Sequence, residues 1–306
     1  YRQKAAGVDV NIVFPASASL FFDPAYFSKG EMRPKRKGMS LFPYFVENEM
    51  MMLDVFDFNL ELKNRFITFA SVDPSRKIAG QLDALVVLAN RFPLYGIKIS
   101  PVECQSPITA LLQEGHPFLD FAQVYSIPLL LHTTMDPKEE YSHASMTFKV
   151  IEKNPDINFC LAHCIGFHKG YLDLANAMPN VWVDTAALKI QVQCACENNP
   201  IMASLKERFD CDYSDHTKVM RALMDNYPET IMWGTDSPWY SFISKRKQGE
   251  GAYLECRLKA CYEDEKAALD SLPPELRMKA CNINTLEFLF GQWLRAVQKA
   301  GEFLNY

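Results

Sequence analysis

No apolar run in the 306-residue chain approaches the roughly 18 residues that cross a bilayer, so a soluble protein without a membrane partner is expected. Basic charge is not in excess: 32 Lys and Arg stand against 37 Asp and Glu, a formal net charge of −5. Such a balance lacks the positive surface that nucleic-acid binding draws on, and no nucleic-acid partner is expected. A disulfide framework is also missing. The nine cysteines are an odd number in a long chain, and reduced thiols in a cytoplasmic protein are the simpler reading. Cys194 and Cys196 form a C-x-C pair, but no second pair stands at zinc-site spacing, which argues against a structural metal there. No signal peptide, low-complexity tract or internal repeat beyond a strand–helix period is visible.

What the chain does have is a series of short apolar runs bounded by turn residues. They lie at 8–15 (VDVNIVFP), 65–73 (RFITFASVD), 95–100 (YGIKIS), 127–133 (IPLLLHT), 157–164 (INFCLAHC), 181–186 (VWVDTA) and 231–236 (IMWGTD). The runs are nearly uniformly apolar rather than alternating, the pattern of parallel strands buried on both faces. Helical spacing fills the intervals at 76–92, 142–154 and 216–227, and Pro155 and Pro228 punctuate two of the returns. Strands alternating with helices predict a parallel α/β sheet. At 48% hydrophobic, the chain has material for one large core, and α/β barrels of roughly 250 residues form one unit. Residues 1–306 are therefore read as a single TIM-type (β/α)8 barrel domain. Seven strands would leave such a barrel open, and 1–6 reads as the tail of a helix, so a further βα unit is expected ahead of Tyr1. Two longer connections, 16–43 with its basic run at 33–37 and 239–251, have the length of lids, although the basic run reads first as a solvated face.

Three side chains of metal-binding type each end a predicted strand: His132, His163 and Asp236. Parallel strands in a barrel point the same way, so their carboxyl ends meet at one rim, where such barrels keep their active sites. A single such residue is as readily a core histidine or a strand-end cap; three at the same end of different strands make a constellation. An imidazole or carboxylate at the edge of an apolar strand costs desolvation energy, which a divalent cation would offset. Lys98 sits within a further strand, where a buried ammonium needs a partner: a substrate anion, a carboxylated form bridging two metals, or a structural ion pair. Glu103 and Cys104 follow on the same rim. Trp239 and Tyr240, just past Asp236, suit a substrate pocket. His116 is expected in a loop, His143 and His216 near helix starts, and His168 is a weaker rim candidate. Met50, Met51 and Met52 read as helix packing.

The segments PLLLHTT at 128–134, LAHCIGF at 161–167 and WGTDSPW at 233–239 resemble the amidohydrolase-related family of metal-dependent TIM-barrel hydrolases and decarboxylases. GIKIS at 96–100 fits it, and CNINTLEFLFG at 281–291 resembles the family's terminal Asn-containing helix. The resemblance implies His132 as a metal ligand, His163 as a second ligand or a catalytic histidine, and Asp236 as a ligand and proton shuttle. The implied metal is Zn²⁺, with Mn²⁺ as the alternative. Lys98 would occupy the strand where some relatives carry a carboxylated lysine. One departure stands out. The family's first strand supplies a His-x-His pair, and this sequence contains none.

The expected function is a metal-dependent hydrolase that acts on a small carbonyl-containing substrate through a metal-activated water. A small molecule would be its partner, and a homo-oligomer is compatible with the sequence. A nonoxidative decarboxylase of a small aromatic or unsaturated acid would use the same residues. A TatD-like DNase is disfavoured by Lys98, where such nucleases place a glutamate, and by the acidic charge. A barrel without a working metal site would be a non-catalytic scaffold.

Overall fold

Backbone amides in a buried strand must find partners, and parallel neighbours supply them here. The computed structural model describes residues 7–16, 42–238, 244–246, 254–256 and 260–304. Each of the seven apolar runs contains one strand: β1 Asn11–Val13, β2 Phe66–Val72, β3 Gly96–Ile99, β4 Leu129–Leu131, β5 Phe159–Leu161, β6 Val181–Asp184 and β7 Ile231–Met232. All neighbouring pairs are parallel and follow sequence order, with β1 and β7 as the edges among the described residues. A short antiparallel hairpin, β8 Ser244–Arg246 and β9 Leu254–Cys256, falls partly in the stretch expected to act as a lid. The rest of that stretch, the basic run at 33–37, Trp239 and Tyr240 lie outside the described residues.

Helices occupy the intervals: α1 Phe45–Leu53, α2 Ile78–Arg91, α3 His116–Val124, α4 Ala144–Glu152, α5 Lys169–Ala177, α6 Leu188–Cys196, α7 His216–Asn226, α8 Tyr262–Asp270 and α9 Asn284–Leu304. Their ends follow from caps. Asp215 precedes α7 and accepts the Thr217 amide at 2.8 Å, after which Val219, Met220, Leu223 and Met224 turn one face inward. His116 corrects an expectation: it begins α3 rather than lying in a loop, and its Nδ1 sits 3.2 Å from Asp120. Met52 of α1 is buried and Met50 exposed, as one helix face demands. This is the architecture of a TIM-type barrel. None of the described helices is long and apolar enough to cross a membrane.

The alternation of side chains along each strand sorts two cores. Ile97, Ile99, Leu129, Leu131, Phe159, Leu161, Val181, Val183 and Ile231 point outward and pack with the helices. Phe69, Leu130, Cys160, Trp182 and Met232 belong to a separate interior cluster, which Phe288 and Leu289 of α9 join. The Phe288 ring lies 6.1 Å from Phe69 and 6.0 Å from Trp182, forming an aromatic floor. Pairing register sets Lys98, Leu130, Cys160 and Trp182 side by side. His132, Ala162 and Asp184 come two residues further along, on the same inward side, at the carboxyl mouth.

Asn284 locks α9 to the sheet. It is fully buried, and its Nδ2 donates to the carbonyls of Pro228 at 2.9 Å and Ile231 at 2.8 Å. Alanine there leaves the buried Ile231 carbonyl and the half-buried Pro228 carbonyl without this donor, so Asn284→Ala is expected to cost about 1–3 kcal/mol. The measurement is urea unfolding. A lower midpoint with an unchanged slope is the expected result, and an unmoved midpoint would count against the lock.

Candidate active site

Two imidazoles meet at the mouth. His132 directly follows β4 and His163 follows β5, and the pairing of these strands brings the rings to a centroid distance of 4.8 Å. His163 Nε2 lies 3.1 Å from His132 Nδ1. The other nitrogen of His163, Nδ1, lies 3.1 Å from the carbonyl of Ala186. A carbonyl only accepts, so Nδ1 carries a proton, and Nε2 is the nitrogen turned toward His132. Burial, reinforced by His163 and Lys98, holds the His132 pKa well below the usual imidazole range, which keeps the His132 ring neutral.

The backbone at His163 is unusual. His163, Cys164, Ile165, Gly166 and Phe167 all have positive φ, between 49° and 63°. Left-handed residues other than glycine cost about 1–2 kcal/mol each, and a β-branched Ile165 is the least suited of them. Neighbours hold the turn in place. Asp184 Oδ1 accepts the His163 amide at 3.0 Å, Thr133 donates to the Ala162 carbonyl at 2.7 Å, and the carbonyls of Gly166 and Phe167 accept the amides of Ala203 and Phe209. Strain held by its surroundings in this way marks many functional sites.

Asp184, which ends β6, is the carboxylate that the sequence reading passed over. It is buried, accepts the amides of both His163 and Ala186 at 3.0 Å, and faces Cys160 Sγ at 3.7 Å. The signal was available, because VWVD ends an apolar run in a polar residue just as IPLLLH and INFCLAH do.

Asp236 also has positive φ, 56°, and its carboxyl stands above the usual range through burial, opposed by His163 and Lys98. Lys98 is buried, and burial depresses its pKa against the pull of Asp184, Asp236 and Glu103. No described carboxylate lies within ion-pair distance of its ammonium, which instead sits 5.1 Å from the centroid of the Phe14 ring. Burial also raises the Glu103 pKa, against Lys98, and its Oε2 has no hydrogen-bond partner. Lys98, His163, Asp184 and Asp236 line one open cavity of about 1360 Å³, bounded by β1, β7 and α9.

Other expected candidates go elsewhere. Cys104 is buried against the Tyr44 hydroxyl at 3.7 Å. His143 and His168 cap α4 and α5, each accepting a backbone amide with its ring. His216 begins α7 and meets the Asp264 carbonyl at 2.9 Å. Cys194 is buried and Cys196 exposed, both as free thiols.

The chemistry of the donor pair suits a divalent cation. Two ring nitrogens 3.1 Å apart have close to the spacing of two ligands on one ion, given metal–nitrogen bonds of about 2.0–2.1 Å. Among the described residues no group of three or more His, Cys, Asp or Glu gathers closely enough to hold a metal by itself. The pair could supply two donors to such an ion, and His163 and Asp236 interact electrostatically.

A parallel barrel with two imidazoles, a lysine and two carboxylates at its carboxyl mouth belongs among the TIM-barrel enzyme folds. More narrowly, the chain belongs to the amidohydrolase family, whose sequence model matches residues 46–290. An uncharacterized TIM-barrel protein from Bordetella bronchiseptica is similar in structure, with a TM-score of 0.55 and 15% identity, over 95% of this chain and 80% of that one. IDCase from Metarhizium anisopliae, solved in its apo form, has a TM-score of 0.55 and 11% identity, over 94% of this chain and 76% of that one. At such identities the likeness is one of fold. No curated protein sequence matches the chain.

Proposed function

We propose that the protein is a metal-dependent hydrolase that cleaves a small carbonyl-containing substrate with an activated water. The observation that carries this reading is the convergence of His132 Nδ1 and His163 Nε2 at 3.1 Å, beside the electrostatically coupled Asp236. His132 and His163 would hold the cation, with Asp236 as the carboxylate offered to it or to its water. A bound Zn²⁺ or Mn²⁺ supplies a Lewis acid for the carbonyl and a water acidified toward neutrality.

The chain's own residues do the rest. Asp236 takes the proton of the attacking water on its carboxylate and returns it to the leaving group; burial raises its pKa, which makes the carboxylate a stronger base. His163 is held by the Ala186 carbonyl so that Nε2, the nitrogen toward His132, is the one left for the cation. Lys98 supplies a buried positive charge for an anionic group of the substrate. Trp239 and Tyr240 follow Asp236 closely enough in sequence to complete the substrate pocket. The setting we propose is cytoplasmic.

Metal analysis of the full-length protein, combined with assays of amide and ester cleavage, tests this. Near-stoichiometric divalent metal is expected. Chelation should abolish cleavage, and Zn²⁺ or Mn²⁺ should restore it. Full cleavage by metal-free protein would sink the reading. Release of carbon dioxide from small acids, in place of cleavage, would transfer the same residues to a nonoxidative decarboxylase. Nicking of DNA would favour a TatD-like nuclease, and substoichiometric metal without turnover a scaffold.

A further inference from the structure

Glu265 lies in α8, outside the barrel strands, yet it is completely buried. Its carboxylate accepts the amides of Leu188 at 2.9 Å and Lys189 at 3.3 Å, the first two residues of α6. That helix has no cap of its own: Ala187 occupies the cap position with φ 56° and offers no side-chain acceptor. The cap comes instead from a residue 77 positions away. Glu265 also accepts, on its backbone carbonyl, the Trp233 indole N–H at 2.9 Å.

These contacts brace the two segments that carry the site. The turn ahead of α6 contains Ala186, whose carbonyl fixes the His163 ring. Trp233 opens the segment that leads to Asp236. The two segments touch: the Gly234 amide donates to Thr185 Oγ1 at 3.3 Å, and a Cβ on Gly234 would sit 3.7 Å from that of Ala186. One residue thus holds both from behind.

We infer that the Glu265 side chain is a positioning group for this site, acting on His163 through the start of α6 and the Ala186 carbonyl, while the backbone carbonyl of the same residue ties Trp233 to α8. The inference rests on the hydrolase reading only for its effect on turnover. An ordinary cap would stabilise α6 and leave the His163 ring as it is. A positioning residue changes the ring's hydrogen bond when removed.

The test compares Glu265→Ala and Glu265→Gln in the full-length protein as isolated. The readouts are the ¹⁵N resonances of the His163 ring, the solvent exchange of its Nδ1 proton, and turnover. In the unmodified protein the Nδ1 proton should be present and protected. Glu265→Ala is expected to lose that protection and to lower kcat about 10–100-fold, with KM changed far less, the usual cost of losing an outer support. Glu265→Gln keeps one acceptor, for the shorter bond from the Leu188 amide, but turns an NH2 donor toward the Lys189 amide, so it should fall between Glu265→Ala and the unmodified protein in both readouts. If Glu265→Ala does not fold, Glu265→Asp, which withdraws the carboxylate by one methylene, carries the same readouts. A protected Nδ1 proton in a folded Ala or Asp variant would overturn the inference. Because that resonance needs no substrate, it decides the positioning claim even if the protein proves not to be a hydrolase.

Discussion

Asparagine at position 236 is expected to remove turnover while leaving the protein folded and no less stable. The backbone there has φ 56°, a conformation that Asn adopts as readily as Asp, so the exchange is nearly free of strain. The amide keeps the size of the carboxylate but cannot accept a proton from water. Loss of a general base costs about 10²–10⁴-fold in rate. Stability should move the other way or not at all, since burial already disfavours the charged form of Asp236. The check is paired: kcat/KM on a cleaved amide or ester, and the thermal midpoint of the same samples. A variant with undiminished turnover would remove Asp236 from the mechanism. One that loses turnover and stability together would point to a structural role.

Much of this arrangement is legible in the sequence because strand ends are legible. An apolar run that stops at a histidine or aspartate announces both a strand and the end where the barrel opens, and His132 and His163 carry that mark. Asp236 is expected to end its strand too, but β7 stops at Met232 and Asp236 lies four residues beyond it. Lys98 stands out for the opposite reason, a cation in mid-run. Asp184 carries the same mark as the histidines, yet what gives it meaning is the amide of His163, 21 residues away. Spacing along the chain contains no trace of that contact. The left-handed turn from His163 to Phe167 is hidden more completely. Only Gly166 favours positive φ, while Ile165 argues for extended chain, and the conformation is imposed by amides from Ala203 and Phe209. Glu265 is hidden most of all. The segment YEDEKAALD reads as a solvated acidic helix face, and only the folded barrel reveals a buried carboxylate beneath α6.

Gly96 shows the same limit from the side of packing, and the second large effect is expected there. It begins β3, two residues before Lys98 on the same face. Glycine within a strand ordinarily weakens it by roughly 0.5–1 kcal/mol relative to alanine, so Gly96→Ala would be stabilising on backbone grounds alone. The interior reverses the sign. A Cβ at this position would meet the edge of the Phe69 ring, with Cε1 at 2.6 Å and both Cζ and Cε2 closer still. Phe69 has no solvent exposure and is backed by Phe288, so the ring has little room to retreat. Overpacking of this kind costs about 1–3 kcal/mol, sometimes more, and it outweighs the backbone gain. Gly96→Ala is therefore expected to lower the urea midpoint. Phe69→Leu removes the ring-edge atoms that clash, so the double variant should be more stable than the two single losses predict, by about 0.5–3 kcal/mol. Because β3 carries Lys98 on that same face, Gly96→Ala is expected to weaken substrate affinity as well, and Phe69→Leu to restore part of it. Wild-type stability in Gly96→Ala, or simple additivity in the double variant, would mean that the interior has slack around Phe69 and that the floor beneath the site is not closely packed.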